Sequence, residues 1–196
     1  MRGSWIGVVV AAVLGFFVGS VNPATIIARI RHADLRQGSG NPGATNVGRV
    51  LGFRWAVVVG LLDVLKGLAP TLLALLLLDR LTAYVVGLAA VLGHVLSPFL
   101  RGRGGKGVAT SMGAILALYD PRFALGMLVV FGLMLWHTRW VAGSSIAAAT
   151  LLGLYAGLAP LPAPVAVGRL WGICIALLVI ARHYGNIRGW VRRRLA

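Results

Sequence analysis

The stretch GSGNPGATN occupies residues 38–46, and GRGGKGVAT occupies residues 102–110. Each reads G-x-G-x-x-G and leads into a run that can form a helix. Backbone N–H groups at a helix N-terminus are unpaired donors at the positive end of the helix dipole, so they attract anions. Glycine lets such a backbone approach a phosphate closely. The two stretches therefore predict two anionic groups held near each other.

Two other interpretations of the glycines have to be weighed. A dinucleotide site needs the glycine pattern to follow a strand, and neither stretch does. Membrane proteins also use glycine for close helix packing, and this alternative stays open for each stretch taken alone.

Composition sets the class of protein. The chain has 196 residues, of which 59% are hydrophobic, and a mean hydropathy of +0.88. Its apolar runs are continuous and do not alternate with polar residues, which favours helices over barrel strands. We therefore expect an all-α integral membrane protein, with residues 1–196 forming a single membrane domain.

Seven transmembrane helices are predicted, at about residues 5–28, 55–78, 81–96, 108–119, 123–136, 141–158 and 165–181. The first lacks a small-residue cleavage site and is expected to be a retained helix. Near its end, residues 20–23 (SVNP) place polar groups and a helix breaker inside the membrane. The fourth is short for a hydrocarbon core of about 30 Å.

The basic residues predict the orientation. The formal net charge is +15, but the cations lie in short loops between apolar runs, so a nucleic-acid partner is not expected. Fourteen Lys and Arg residues fall on the side of the glycine stretches, and Arg2, Arg80, Arg122 and Arg169 fall on the other. By the positive-inside rule the N-terminus is outside, and the C-terminus and both glycine stretches are cytoplasmic.

Few acidic or sulfur ligands are available. The chain has four Asp, no Glu, and one cysteine, Cys174, so neither a disulfide nor a cysteine metal site is expected, and no metal or cofactor is predicted. Asp63 and Lys66, three residues apart in the second span, share a helix face. They form either a structural anchor between helices or part of a site.

Hydrogen-bond donors and cations dominate the predicted cytoplasmic ends, which suits ligands that carry phosphate. His94 and His183 are the candidates for proton transfer, because histidine ordinarily titrates near neutral pH.

Three ordered blocks of these residues resemble one family. The first comprises residues 38–47 with Arg49, Asp63, Lys66 and Gly67; the second comprises Gly93, His94, residues 98–100 and residues 104–110; the third comprises Arg182, His183, Asn186 and Ile187. The resemblance is to the bacterial acyl-phosphate:glycerol-3-phosphate acyltransferases, the PlsY family, and covers the chain end to end. One departure is Gly185, where the family usually carries Glu.

The resemblance implies an activity: transfer of a fatty acyl group from acyl phosphate to the 1-hydroxyl of glycerol 3-phosphate, giving lysophosphatidic acid. It implies a multi-pass protein of the bacterial cytoplasmic (inner) membrane, whose partners are glycerol 3-phosphate, long-chain acyl phosphate and the bilayer. Together with the residue types, it predicts the catalytic residues His183, Asn186, Ser39 and Arg49. The predicted substrate-binding residues are Asn41, Thr45, Asn46, Lys66, His94, Gly104, Gly105, Lys106, Gly107, Thr110, Ser111 and Arg182.

The rival interpretation is a transporter for a phosphorylated anion, built from broken helices around a midplane site. Polar residues clustered at one face argue against it, since few line a path to the other face. Which glycine stretch holds which phosphate stays open, as does whether His183 or a substrate phosphate takes the proton.

Overall fold

The computed structural model describes residues 4–195, and every regular element in that range is helical. Two 3-10 turns occupy Leu35–Gln37 and Pro98–Leu100. The α-helices are α1 (Trp5–Ser20), α2 (Pro23–Ile30), α3 (Ala44–Leu51), α4 (Phe53–Leu77), α5 (Arg80–Val95), α6 (Val108–Leu118), α7 (Pro121–Thr138), α8 (Val141–Leu158), α9 (Val165–Arg182) and α10 (Tyr184–Leu195).

Within the described range, six helical segments are long and apolar enough to cross a membrane. They are Trp5–Ile30, Phe53–Leu77, Arg80–Leu100, Pro121–Thr138, Val141–Leu158 and Val165–Arg182. An all-helical, multi-pass membrane protein is therefore confirmed. The fourth predicted span, residues 108–119, corresponds to α6, whose 11 residues reach only about 16 Å at 1.5 Å per residue. Seven full crossings are not confirmed.

The first span is interrupted where the sequence predicts a break. Pro23 stands at the first position of α2, where its missing N–H costs nothing. Asn22 caps α2, its Oδ1 accepting the N–H of Thr25 at 2.9 Å. The chain thus leaves α1 at Val21 and restarts as α2, and Asn22 is buried at this break.

Packing divides the chain after Leu118 into two compact units. In the first unit, glycines let helix backbones touch: a Cβ at Gly19 would collide with the carbonyl of Ala90, and one at Gly93 with that of Phe16. A Cβ at Gly67 would likewise collide with the carbonyl of Thr110. These contacts join α1 to α5 and α4 to α6 by the close packing that membrane helices favour.

The second unit, α7 to α10, is held by aromatic contacts. The hydroxyl of Tyr119 donates to the carbonyl of Gly168 at 2.7 Å, and Phe123 stacks on Tyr155 with ring centroids 3.7 Å apart. Trp140, just before α8, stacks on Trp190 of α10 at 5.4 Å. The α7–α8 turn and α10 therefore lie at the same end of this unit. A single domain for residues 1–196 stays a prediction.

Candidate active site

The first loop, residues 38–43, is folded onto the side chain of Asn46. The Asn46 Oδ1 accepts the N–H of Ser39 at 2.6 Å, and its Nδ2 donates to the carbonyl of Leu35 at 2.8 Å. Asn46 is 1% exposed. Because both ends of its amide are bound within the protein, Asn46 holds the loop from inside, although the sequence predicts it among the substrate ligands.

Other polar side chains of this block face outward. Ser39, Thr45 and Arg49 are exposed, and Asn41 is half-buried. Thr45 and Arg49 are four residues apart on α3, which places them on one helix face. The block therefore offers side-chain donors and a guanidinium group to an anion, and α3 follows the first glycine stretch directly, as predicted.

The second loop, residues 101–107, is attached to the C-terminal turn of α5. The N–H of Gly104 donates to the carbonyl of Val95, and that of Gly105 to the carbonyl of His94, both at 3.1 Å. The last carbonyls of a helix lack partners within it, so the two bonds complete α5. These two amides are therefore not the bare donors that the glycine pattern predicts.

The first turn of α6 supplies other donors. Gly107, with φ of 83°, turns the chain into the helix, and the first N–H groups of a helix have no acceptor within it. The hydroxyls of Thr110 and Ser111 are buried, and neither makes a hydrogen bond within the described part of the chain. Lys106, which precedes them, is half-buried. This segment combines an ammonium group, two hydroxyls and a helix N-terminus.

A buried charged cluster lies beside the two loops. The Lys66 Nζ is 2.9 Å from Asp63 Oδ1, which is 3.5 Å from His94 Nδ1. The exposed fractions are 2% for Asp63, 8% for Lys66 and 4% for His94. The predicted pairing of Asp63 with Lys66 is confirmed. The participation of His94 was missed, because it joins two helices and leaves no local spacing in the sequence.

Two hydrogen bonds bring the loops to the same end of the first unit. The Asn22 Nδ2 donates to the carbonyl of Pro42 in the first loop at 3.0 Å. Ser97, just before the second loop, donates its hydroxyl to the carbonyl of Ser20 at 2.8 Å. Both loops are therefore tied to the break between α1 and α2. Ser97 was not among the predicted site residues, and Asn22 was predicted only as part of the break in the first span.

The carboxylates of the chain have partners in the structure. Asp34 forms an exposed ion pair with Arg36 at 2.8 Å, and the hydrogen bond from Arg36 lowers the pKa of the Asp34 carboxyl. Asp79 caps α5 and Asp120 caps α7, while Asp63 is bound to Lys66. The donor groups of the loops therefore face no unpaired carboxylate that would repel an anion. Among the described residues, no group of three or more His, Cys or acidic side chains is arranged to hold a metal.

In the second unit, His183 ends α9. Its Nδ1 lies 2.8 Å from the carbonyl of Val179, and the residue is 2% exposed. A carbonyl only accepts hydrogen bonds, so Nδ1 carries the proton and Nε2 is the acceptor of the neutral ring. The N–H of Asn186 donates to the His183 carbonyl at 2.9 Å. A Cβ at Gly185 would meet nothing within 4 Å, so this position has room for a larger residue.

Comparison with known proteins assigns the family. A family model described as glycerol-3-phosphate acyltransferase matches residues 9–193. Glycerol-3-phosphate acyltransferase 1 of Deinococcus radiodurans is 41% identical over 180 residues, which cover 91% of this chain and 89% of that protein. The chain belongs to the glycerol-3-phosphate acyltransferase family.

Solved structures of this acyltransferase family agree with the fold. This chain is similar to two crystal structures of PlsY, an integral membrane glycerol 3-phosphate acyltransferase. One is its glycerol 3-phosphate form and the other its lysophosphatidic acid form. Their TM-scores are 0.87 and 0.86 at 37% and 36% identity, and each match covers 95% of this chain and 93% of the other. The resemblance to the PlsY family is confirmed.

The predicted site residues of this acyltransferase divide between the two units. The first and second blocks come together in the first unit, around the α1–α2 break. Within them, Asn46, Lys66 and His94 are turned toward protein partners. The third block, with His183 and Asn186, belongs to the second unit.

Proposed function

We propose that this acyltransferase moves a fatty acyl group from acyl phosphate to the 1-hydroxyl of glycerol 3-phosphate, giving lysophosphatidic acid without an acyl-enzyme. Family membership makes it a glycerol-3-phosphate acyltransferase. The solved relatives are named for forms with glycerol 3-phosphate and lysophosphatidic acid, which supports these as substrate and product here.

The observation that carries the proposal is the pair of buried, unpartnered hydroxyls in the first turn of α6. Thr110 and Ser111 lie where a helix N-terminus and Lys106 already favour an anion. Burying a hydroxyl without a hydrogen bond is unfavourable, and a phosphate oxygen supplies the missing partner. We assign this segment to the phosphate of glycerol 3-phosphate.

The outward-facing residues of the first block suit the second phosphoryl group. Ser39, Asn41, Thr45 and Arg49 offer hydroxyl, amide and guanidinium donors, and guanidinium is well matched to phosphate oxygens. We assign them to the phosphoryl group of acyl phosphate. The acyl chain then extends between helices into the bilayer, while the small polar substrate enters from water.

The reaction needs positioning more than covalent chemistry. Acyl phosphate is a mixed anhydride with a good leaving group. The glycerol oxygen attacks the acyl carbon, the bond from that carbon to the phosphate oxygen breaks, and inorganic phosphate leaves. Holding both reactants in line and stabilising the charge that develops supply the catalysis. The proton of the attacking hydroxyl passes to His183 Nε2 or to a substrate phosphate. The third family block supports giving His183 and Asn186 a part in this step.

Among residues 4–118, the described part of the first unit, no side chain is set up as a nucleophile. Ser39 lies in a glycine loop and is exposed. The histidine that contacts Asp63 is His94, and its Nε2 lies against Gly105, so this aspartate–histidine pair is not directed at Ser39. In the second unit, Cys174 lies mid-span in α9, with no ionisable neighbour in sequence to stabilise a thiolate. A direct displacement on the activated donor fits these surroundings.

The experiment that tests the activity uses purified protein in detergent, acyl phosphate and radiolabelled glycerol 3-phosphate. We expect labelled lysophosphatidic acid, and much less product when acyl-coenzyme A replaces acyl phosphate. Proteoliposomes loaded with labelled glycerol 3-phosphate distinguish the transporter. Flux across the bilayer with no product formed would favour transport and overturn the proposal.

We also propose that the protein lies in the bacterial inner membrane with its N-terminus outside and its C-terminus cytoplasmic. The count of fourteen cations against four supports this orientation. So does the stacking of Trp140 on Trp190, which places the basic α10 at the same end of the second unit as Arg139. By the same count of cations, both loops of the first unit face the cytoplasm, the side from which we expect glycerol 3-phosphate to enter.

Cysteine labelling checks this topology. In a Cys174→Ala background, we expect Ser39→Cys and Arg103→Cys to be protected from an impermeant thiol reagent added to intact cells. Ala163→Cys, in the proposed external turn between α8 and α9, is the control that should be labelled. Labelling of Ser39→Cys or Arg103→Cys from outside would contradict the orientation.

A further inference from the structure

We infer that Lys66, Asp63 and His94 form a buried brace that fixes the spacing of the two glycine loops, so that they are positioning residues and not substrate ligands. The inference rests on the proposed function, since it concerns how the two phosphoryl sites are held relative to each other. It also replaces the expectation that Lys66 and His94 bind substrate.

The brace begins at the break in the first span. Val21 directly precedes Asn22, the N-cap of α2, and the N–H of Thr25, which would bond to the Val21 carbonyl in a continuous helix, is taken by the Asn22 side chain. The Lys66 Nζ donates to the Val21 carbonyl at 2.7 Å. An ammonium group therefore satisfies a backbone acceptor that the break leaves open.

The same break supports the first loop. Asn22 follows Val21 directly, and its Nδ2 donates to the carbonyl of Pro42 at 3.0 Å. Lys66 is therefore connected to the first loop through Val21 and Asn22, two consecutive residues of the α1–α2 break. No exposed side chain takes part in this connection, because Asn22 and Lys66 are both buried.

The other arm of the brace reaches the second loop. From Lys66 the chain of contacts runs to Asp63 Oδ1 at 2.9 Å and on to His94 Nδ1 at 3.5 Å. The His94 carbonyl accepts the N–H of Gly105. The His94 ring lies against Gly105 so closely that a Cβ there would collide with Nε2. The histidine thus holds the second loop with both its backbone and its ring.

The burial of Lys66, Asp63 and His94 favours a structural role for the cluster over substrate binding. A charge inside a membrane protein is expensive and is retained where it is paired. Lys66 makes two bonds to the protein and is 8% exposed, whereas Lys106 and Arg49 are more exposed. The two classes of cation fit two tasks: Lys106 and Arg49 meet the phosphoryl groups, and Lys66 holds the loops that carry them.

The brace predicts a particular kinetic defect. Each loop keeps its own internal hydrogen bonds when Lys66 is lost, so each substrate still binds. Their relative placement, which determines how often the hydroxyl meets the acyl carbon, is no longer fixed. We expect Lys66→Met to lower kcat at least tenfold while the KM of each substrate changes less than about threefold. A ligand role predicts instead a raised KM for one substrate.

The direct test measures the distance between the loops. Spin labels at Gln37→Cys, beside the first loop, and Arg103→Cys, in the second, are placed in a Cys174→Ala background, and their separation is recorded by pulsed electron paramagnetic resonance in detergent. Lys66→Met is expected to broaden or shift the distribution. The matched control is Lys106→Met, which removes an ammonium group from the loop itself and is expected to leave the distribution unchanged while raising KM.

A second variant guards against simple misfolding. Lys66→Met leaves Asp63 buried without its main partner, and the double variant Asp63→Asn/Lys66→Met removes that charge. We expect the double variant to recover thermal stability but not kcat, because the link to Val21 is still missing. Joint recovery of stability and kcat would show a merely structural ion pair and overturn the brace.

An unchanged distance distribution in Lys66→Met would also overturn it. The distance measurement needs no activity, so it is read even if the wild-type protein makes no lysophosphatidic acid. A wild-type protein that makes no lysophosphatidic acid would contradict the proposed function, and the spin-label distances would still test the brace.

Discussion

Replacing His183 with glutamine is expected to lower kcat by about 10²- to 10⁴-fold, the usual contribution of a general base. The Nδ1 of His183 donates to the Val179 carbonyl, so Nε2 is the atom that accepts a proton in the neutral ring. Glutamine keeps a polar side chain but cannot accept and carry that proton. The KM of glycerol 3-phosphate should change little.

The matched control is His137→Gln, which changes an exposed histidine near the end of α7 and should leave kcat within a factor of two. Initial rates over both substrates, measured on variants of equal thermal stability, separate kcat from KM. If His183→Gln kept wild-type kcat, a phosphate of the substrate would be the proton acceptor and the role assigned to His183 would be wrong.

Replacing Lys106 with alanine is expected to raise the KM of glycerol 3-phosphate by about 10- to 100-fold, as expected for losing a hydrogen bond to a charged group worth about 1.5–3 kcal/mol. A contact made in the ground state and the transition state alike affects KM more than kcat. Gly105→Ala should act in the same direction, because the added methyl collides with the His94 ring and displaces the second loop.

Arg103→Ala is the control for this loop. It removes an exposed cation two residues from Gly105, and we expect the KM to stay within about threefold of the wild-type value. Inhibition by inorganic phosphate, measured in competition with glycerol 3-phosphate, gives an independent measure of phosphate binding at this loop. The inhibition constant should rise together with the KM in Lys106→Ala. If the KM of glycerol 3-phosphate were unchanged in both Lys106→Ala and Gly105→Ala, the assignment of its phosphate to this loop would be wrong.

Local patterns accounted for much of the fold. Continuous apolar runs predicted the long helices, and the polar residues before Pro23 predicted the break that the structure shows at Val21. The spacing of Asp63 and Lys66 predicted their contact, since both belong to one helix. These features depend on residues a few positions apart, which is why the sequence reveals them.

The missing parts of the site depend on tertiary contacts. The pattern in the second loop indicated bare amides, but Gly104 and Gly105 donate to the carbonyls that end α5. Asn46 and His94 were predicted to bind substrate, but in the structure both are buried and contact protein groups. A glycine or a polar side chain satisfies a neighbouring helix as readily as a phosphate, and only packing distinguishes the two.

In the proposed mechanism, acyl phosphate gives up its acyl group directly to glycerol 3-phosphate. The decisive measurement incubates purified protein with labelled acyl phosphate, first alone and then with glycerol 3-phosphate, and follows both intact protein mass and labelled lipid. We predict unmodified protein throughout, with lysophosphatidic acid formed only after glycerol 3-phosphate is added. A stoichiometric acyl adduct that chases into lysophosphatidic acid, or the absence of any product, would contradict direct transfer.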